Sequence, residues 1–260
     1  MVWKILLCIL FGYLIGGINP SYIIGRIRGF DIRKKGSGNA GASNAMILMG
    51  KAVGAFSAIF DIGKATGAFF LAPLLFRDLS LASEIAAVAC ILGHMFPAYM
   101  KFRGGKGLAC LGGLLIAIDW RLFLILFALE LVLCLLCDYI CVVPITASII
   151  IPVLYGLLGS AGTGWLLFAD DGWPGALVLA VASIGILARH VENIIRIFKK
   201  QELHLSYLWS KDKDAELARI GKSRRDGVEP AEPTDTTDPT DPQGVTSHIH
   251  PNTGSKEEIQ

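Results

Sequence analysis

The chain has 260 residues, of which 53% are hydrophobic and only 18% charged, where a soluble domain carries about a quarter. Its formal charge is +2, which leaves no cationic excess for a nucleic-acid partner. The apolar residues come in long runs without alternation, which excludes a β-barrel and implies an all-α, polytopic membrane helix bundle.

The first apolar run is 5–24. It is long for a signal-peptide core, and no Ala-x-Ala site follows directly after it. It reads as a transmembrane helix, bent near its end by Asn19-Pro20-Ser21. Arg26, Arg28, Arg33, Lys34 and Lys35 follow, against Lys4 alone at the other end. The positive-inside rule then places the N-terminus outside and this loop in the cytoplasm. The stretch 36–44 is small, polar and glycine-rich. Ser37, Gly38, Asn39, Gly41, Ser43 and Asn44, with Lys51 just beyond, offer the amides, hydroxyls and charge that hold a phosphate or a glycerol. Such stretches also occur as plain turns. The run 52–76 carries Asp61 and Lys64, spaced to pair as a structural ion pair on one helix face. The third run is 84–100.

Residues 93–107 close one apolar segment and open the next. They hold His94, three cations and Gly104, Gly105 and Gly107 around Lys106. Glycines let backbone N–H groups converge on an anion, and a lysine among them adds a charge, so this turn reads as an anion cradle. It is not a P-loop, because Gly107 rather than Ser or Thr follows Lys106. The alternative is a basic turn at a cytoplasmic edge.

Four further runs, 108–118, 121–137, 141–158 and 175–195, return Arg196, Lys199 and Lys200 to the side of Lys106. That parity makes seven transmembrane helices with a cytoplasmic C-terminus, although the inner turn at Asp138 has no cation. The last run ends in Arg189-His190-Val191-Glu192-Asn193-Ile194-Ile195-Arg196, with His190 and Asn193 about one helical turn apart. Six cysteines lie in or beside apolar runs. Cys134-x-x-Cys137 has no second pair nearby and reads as packing rather than a metal or redox centre. The organisation expected is a transmembrane domain over 1–203, an interfacial and charged segment over 204–228 with Tyr207 and Trp209 at headgroup level, and a disordered polar tail over 229–260.

Three polar clusters thus fall on one membrane edge: 36–51, 94–107 and 189–196. They combine cations, His94 and His190, hydroxyls and glycine turns with helices able to receive an acyl chain. That suits acyl transfer from an activated donor, with the acceptor proton taken by histidine or by a donor phosphate. No Gly-x-Ser-x-Gly signature is present, so direct transfer without an acyl-enzyme is the simpler route.

These motifs, from Gly36-Ser37-Gly38-Asn39-Ala40-Gly41-Ala42-Ser43-Asn44 through Gly93-His94 and Lys101–Gly107 to Arg189–Arg196, resemble those of a bacterial family. It is the membrane-embedded, acyl-phosphate-dependent glycerol-3-phosphate acyltransferases, the PlsY family. Asp61-x-x-Lys64 is similar too, and the resemblance covers about residues 1–202. It implies a multi-pass protein of the bacterial cytoplasmic membrane, transfer from acyl phosphate to glycerol 3-phosphate, and lysophosphatidic acid as product in the first step of phospholipid synthesis. It implies no metal, no CoA and no other cofactor. A monomer with membrane lipid and its two substrates as partners is expected. His190, Asn193, Lys106 and His94 would be catalytic. Ser37, Gly38, Asn39, Gly41, Ser43, Asn44, Lys51, Gly104, Gly105, Gly107 and Glu192 would bind substrate. The chain departs from the family pattern at Ile47 and Val191, where arginines are usual, at Cys141 and Pro144, where serines are usual, and at Ala65. The alternatives are another acceptor, an inactive lipid- or acyl-phosphate-binding protein, or a transporter of a phosphorylated solute.

Overall fold

A computed structural model describes residues 2–161, 172–202 and 204–206. Residues 162–171, Tyr207, Trp209 and the polar tail lie outside the described residues. The described chain is helical throughout, with no strand among those residues. The helices are α1 (Val2–Gly17), α2 (Pro20–Ile27), α3 (Ala42–Met49), α4 (Lys51–Leu75), α5 (Ala82–Met95), α6 (Leu108–Ile118), α7 (Trp120–Cys137), α8 (Val142–Ser160) and α9 (Gly172–Phe198). Single 3-10 turns lie at Ile32–Lys34 and Ala98–Met100.

Five helical segments are long and apolar enough to cross a membrane: α4, α5 continued to Met100, α7, α8 and α9. The expected first span is two helices bent by 44°, which would make a sixth if taken as one. The break lies where Asn19 caps α2, accepting from Tyr22 N at 2.8 Å, and Pro20 opens it. Asn19 also donates to the Ala40 carbonyl at 3.0 Å, so the break holds the first polar loop. The short α6 spans about 16 Å at 1.5 Å per residue, roughly half the hydrocarbon thickness.

Lipid supplies no hydrophobic drive between helices, so close backbone approach does much of the packing. Gly12 and Gly16 of α1 lie so near α5 that a Cβ on them would overlap the Ala86 and Cys90 carbonyl oxygens. Gly93 of α5 is held against the Tyr13 carbonyl oxygen in the same way. Gly113 brings α6 onto α4, where the Thr66 hydroxyl donates to its carbonyl at 2.8 Å. Polar pairs tie the outer helices inside the membrane. The Tyr155 hydroxyl donates to Glu84 at 2.7 Å, and the Thr146 hydroxyl lies 2.8 and 2.7 Å from the Glu130 oxygens. Helix α7 fully buries only Leu126, Glu130 and Cys134, one residue per turn, and exposes most of the rest as a lipid-facing helix does. At the opposite end of α1 from the break, Lys4 meets Asp78 at 2.6 Å. All six cysteines are free. Cys137 departs from the packing role expected of it, because it ends α7 on the exposed side while Cys134 is buried.

Candidate active site

The loop after α5 makes its turn with two residues in the left-handed region, Lys101 (φ 55°) and Phe102 (φ 57°). It then doubles back on the helix it has left. Gly104 N–H donates to the Met95 carbonyl and Gly105 N–H to the His94 carbonyl, both at 3.0 Å. This corrects the expectation that Gly104 to Gly107 all present amides to an anion. The last carbonyls of a helix need donors, and two of these amides supply them. The glycines are there for close approach: a Cβ on Gly104 would overlap the His94 carbonyl oxygen, and one on Gly105 the His94 ring. Gly107 (φ 88°) caps α6 and packs between Met95 and Ile186. What remains for an anion is the Lys106 ammonium and the first-turn amides of α6, which the helix itself cannot pair.

Helix α9 brings its polar end onto this loop. Lys106 Nζ donates to Asn193 Oδ1 at 2.7 Å. Asn193 Nδ2 donates to Glu202 at 2.8 Å, and Arg196 Nε donates to the other Glu202 oxygen at 2.5 Å. Arg189 donates to the Gly104 carbonyl at 3.3 Å, and its buried Nε has no partner. Glu192 is exposed and lies 3.7 Å from Arg196. One turn before Asn193, buried His190 places Nδ1 at 2.8 Å from the Ile186 carbonyl. A carbonyl can only accept, so Nδ1 carries the proton and Nε2 is left as a base. Burial, reinforced by the Arg196 charge, holds the pKa of Lys106 below the usual lysine value.

The first polar loop is fastened to the second. Arg33 donates to the Met100 carbonyl at 2.5 Å and to the Arg103 carbonyl at 3.5 Å. Its guanidinium also grips Asp31, whose carboxyl its hydrogen bonds hold at a pKa of about 2. Within the loop, Asn44 has all its polar atoms engaged. Its amide nitrogen lies 2.9–3.1 Å from the Ile32, Lys35 and Asn39 carbonyls, and its oxygen accepts from Ser37 N at 3.0 Å. It knots the loop instead of facing a ligand. Ser37, Gly38, Ser43 and Lys51 are exposed, Gly41 is half-buried at the start of α3, and Asn39 carries a buried side-chain oxygen with no partner.

His94, expected among the catalytic residues, is enclosed. Its side chain is 3% exposed, its Nδ1 lies 3.2 Å from Asp61 and 3.0 Å from Lys64, and Gly105 sits against its Nε2. Asp61 and Lys64 do pair, at 2.6 Å. Asp61, His94 and Cys110 bring potential metal-ligand atoms within 4.8 Å of one another, but the Lys64 ammonium already stands against two of the three residues.

Residues 6–200 match the model of the family described as glycerol-3-phosphate acyltransferase. The chain belongs to that family. A glycerol-3-phosphate acyltransferase of Thermotoga petrophila is 36% identical over 192 residues, covering 74% of this chain and 91% of the relative. One from Oceanobacillus iheyensis is 35% identical over 210 residues, covering 78% and 95%. Two crystal structures of PlsY, an integral membrane glycerol 3-phosphate acyltransferase, are 30% identical to the chain. The glycerol 3-phosphate form superposes with a TM-score of 0.65 over 78% of this chain and 96% of that one. The lysophosphatidic acid form gives 0.62 over 77% and 94%.

In this member of the glycerol-3-phosphate acyltransferase family the departures lie in or beside α3, α4, α8 and α9. Ile47 is 73% exposed on α3, and Val191 is exposed beside His190. Cys141 is buried at the N-cap of α8. The structure brings Lys106 onto Asn193, one turn after His190, and adds Glu202, which the sequence analysis did not single out. The available signal was an acid directly after the Arg196, Lys199 and Lys200 cations.

Proposed function

We propose that the protein transfers an acyl group from acyl phosphate to glycerol 3-phosphate, releasing lysophosphatidic acid and inorganic phosphate. It would carry out this first step of phospholipid synthesis as a monomer in the bacterial cytoplasmic membrane, without metal or other cofactor. The observation that carries the reading is the Lys106–Asn193 contact at 2.7 Å beside the free base of His190. The donor's phosphate lies against Lys106 and the first turn of α6. The acceptor hydroxyl oxygen attacks the acyl carbonyl carbon, and the carbon–oxygen bond to phosphate breaks. The hydroxyl proton goes to His190 Nε2 and then to the leaving phosphate, so no acyl-enzyme forms. The unpartnered Asn39 oxygen is an acceptor suited to another acceptor hydroxyl. The test is a radiolabelled acyl-phosphate assay on purified protein with glycerol 3-phosphate and uncharged polyols as acceptors. Lysophosphatidic acid is the expected product, and turnover of polyols alone would reassign the acceptor.

Ile47 and Val191 bear on how tightly the acceptor binds. A hydrogen bond to a charged group is worth about 1.5–3 kcal/mol, roughly ten- to hundredfold in affinity. Ile47→Arg should therefore lower the KM for glycerol 3-phosphate by that factor and leave the KM for acyl phosphate unchanged. An unchanged acceptor KM would show that neighbouring cations already supply the contact.

For topology we take seven crossings, with α1 and α2 as one bent span, α6 as a short one, the N-terminus outside and the C-terminus in the cytoplasm. In a cysteine-free background, Asp78→Cys and Arg121→Cys should react with a membrane-impermeant maleimide added to intact cells. Lys101→Cys and Lys200→Cys should react only after permeabilisation. Labelling of position 121 only after permeabilisation would mean that α6 does not cross. The domain limits follow the same plan, with the polar tail from about 229 dispensable for activity.

A further inference from the structure

We infer that Lys64 is a positioning residue which fastens both polar loops of the active site to one buried point. Its ammonium lies within hydrogen-bond distance of three partners besides Asp61: the Gly16 carbonyl at 2.9 Å, the Ile18 carbonyl at 2.8 Å and His94 Nδ1 at 3.0 Å. Asp61, at 2.6 Å, supplies the counter-charge. The two carbonyls end α1, where the break leaves them without helical donors. Asn19, the next residue, caps α2 and holds the Ala40 carbonyl of the first loop at 3.0 Å. The other direction runs through His94. Its Nδ1 stands 3.0 Å from Lys64 and 3.2 Å from Asp61, and Gly105 covers its Nε2 edge. Gly105 N–H donates to the His94 carbonyl, and Lys106 follows it in the chain.

One ammonium thus fixes the α1–α2 break behind residues 36–44 and the ring beneath Gly105. The Lys64 and Asp61 side chains are 3% and 2% exposed, and charges so placed in a membrane protein are expensive unless paired. The cluster contributes no group to the bond-making atoms. It sets where Lys106 and the first loop stand.

The inference rests on the proposed acyl transfer only for its kinetic readout, so the test has a second arm that needs no activity. Replacing both charges, Asp61→Asn with Lys64→Met, leaves no uncompensated buried ion. The double variant should elute and melt as the wild type does. Hydrogen exchange should nevertheless rise at least tenfold in peptides covering 36–41 and 101–107, with α7 unchanged. Its KM for glycerol 3-phosphate should rise at least tenfold. Lys64→Arg keeps the charge in a flat, forked group that cannot meet the same three partners, and it should show a smaller loosening of both loops. Unchanged exchange in both loops of a folded double variant would overturn the inference. So would failure of that variant to fold, since the cluster would then serve the bundle as a whole. Loosened loops in a protein that turns over no acyl phosphate would instead count against the proposed reaction and leave the positioning role standing.

Discussion

Lys106→Ala should lower kcat/KM by about 10³- to 10⁵-fold while membrane insertion and elution volume stay as in the wild type. Lys106 is half-buried and donates to Asn193, so its ammonium is held in place before substrate arrives. A charge-assisted hydrogen bond to phosphate is worth about 1.5–3 kcal/mol. A preorganised donor facing developing charge adds about 2.7–4 kcal/mol, because it needs no reorganisation during the reaction. Together they come to roughly 4–7 kcal/mol, which sets the range quoted. The two Gly104 and Gly105 amides cannot compensate, since both are bonded to α5. The charge matters as well as the shape. Burial lowers the pKa of Lys106, so in the free enzyme activity should fall as pH rises, starting below the usual lysine range, when the ammonium loses its proton. Steady-state kinetics of the purified variant decide the matter. A loss of less than tenfold would remove Lys106 from the site.

The second large effect is on the fold. Gly16→Ala should destabilise the protein by about 3 kcal/mol or more, and Gly17→Ala by less than about 1 kcal/mol, in thermal unfolding of detergent-solubilised protein. The two residues are adjacent at the end of α1 and chemically identical. A Cβ on Gly16 overlaps the Cys90 carbonyl oxygen, and that atom belongs to a helix backbone that cannot rotate away. A Cβ on Gly17 meets nothing nearer than the Tyr99 ring at 3.9 Å. Overpacking a tight interface costs about 1–3 kcal/mol and sometimes more, and here α1 must move against α5 along their shared face. The shift would also drag the Gly16 carbonyl from Lys64, 2.9 Å away. Equal melting temperatures for the two variants would show that α1 and α5 can part at no cost.

The sequence by itself determined everything that depends on short stretches of chain. Apolar run length requires membrane helices, and Asn19-Pro20 breaks the first because proline cannot continue the hydrogen bonding. The spacing of Asp61 and Lys64, or of His190 and Asn193, follows from helix pitch alone. The tertiary structure decided what depends on which donor meets which acceptor across the bundle. Gly104 and Gly105 look like free amides until α5's last carbonyls come opposite them. Asn44 looks like a ligand group until three loop carbonyls surround its amide. His94 carries the same ring wherever it stands, yet packing against Asp61, Lys64 and Gly105 encloses it. Glu202 carried no motif, and only the return of the chain past α9 brings it onto Asn193 and Arg196. Hydropathy and helix pitch are properties of neighbours in sequence. Hydrogen-bond partnership across helices is set by distances of about 3 Å that no local pattern encodes.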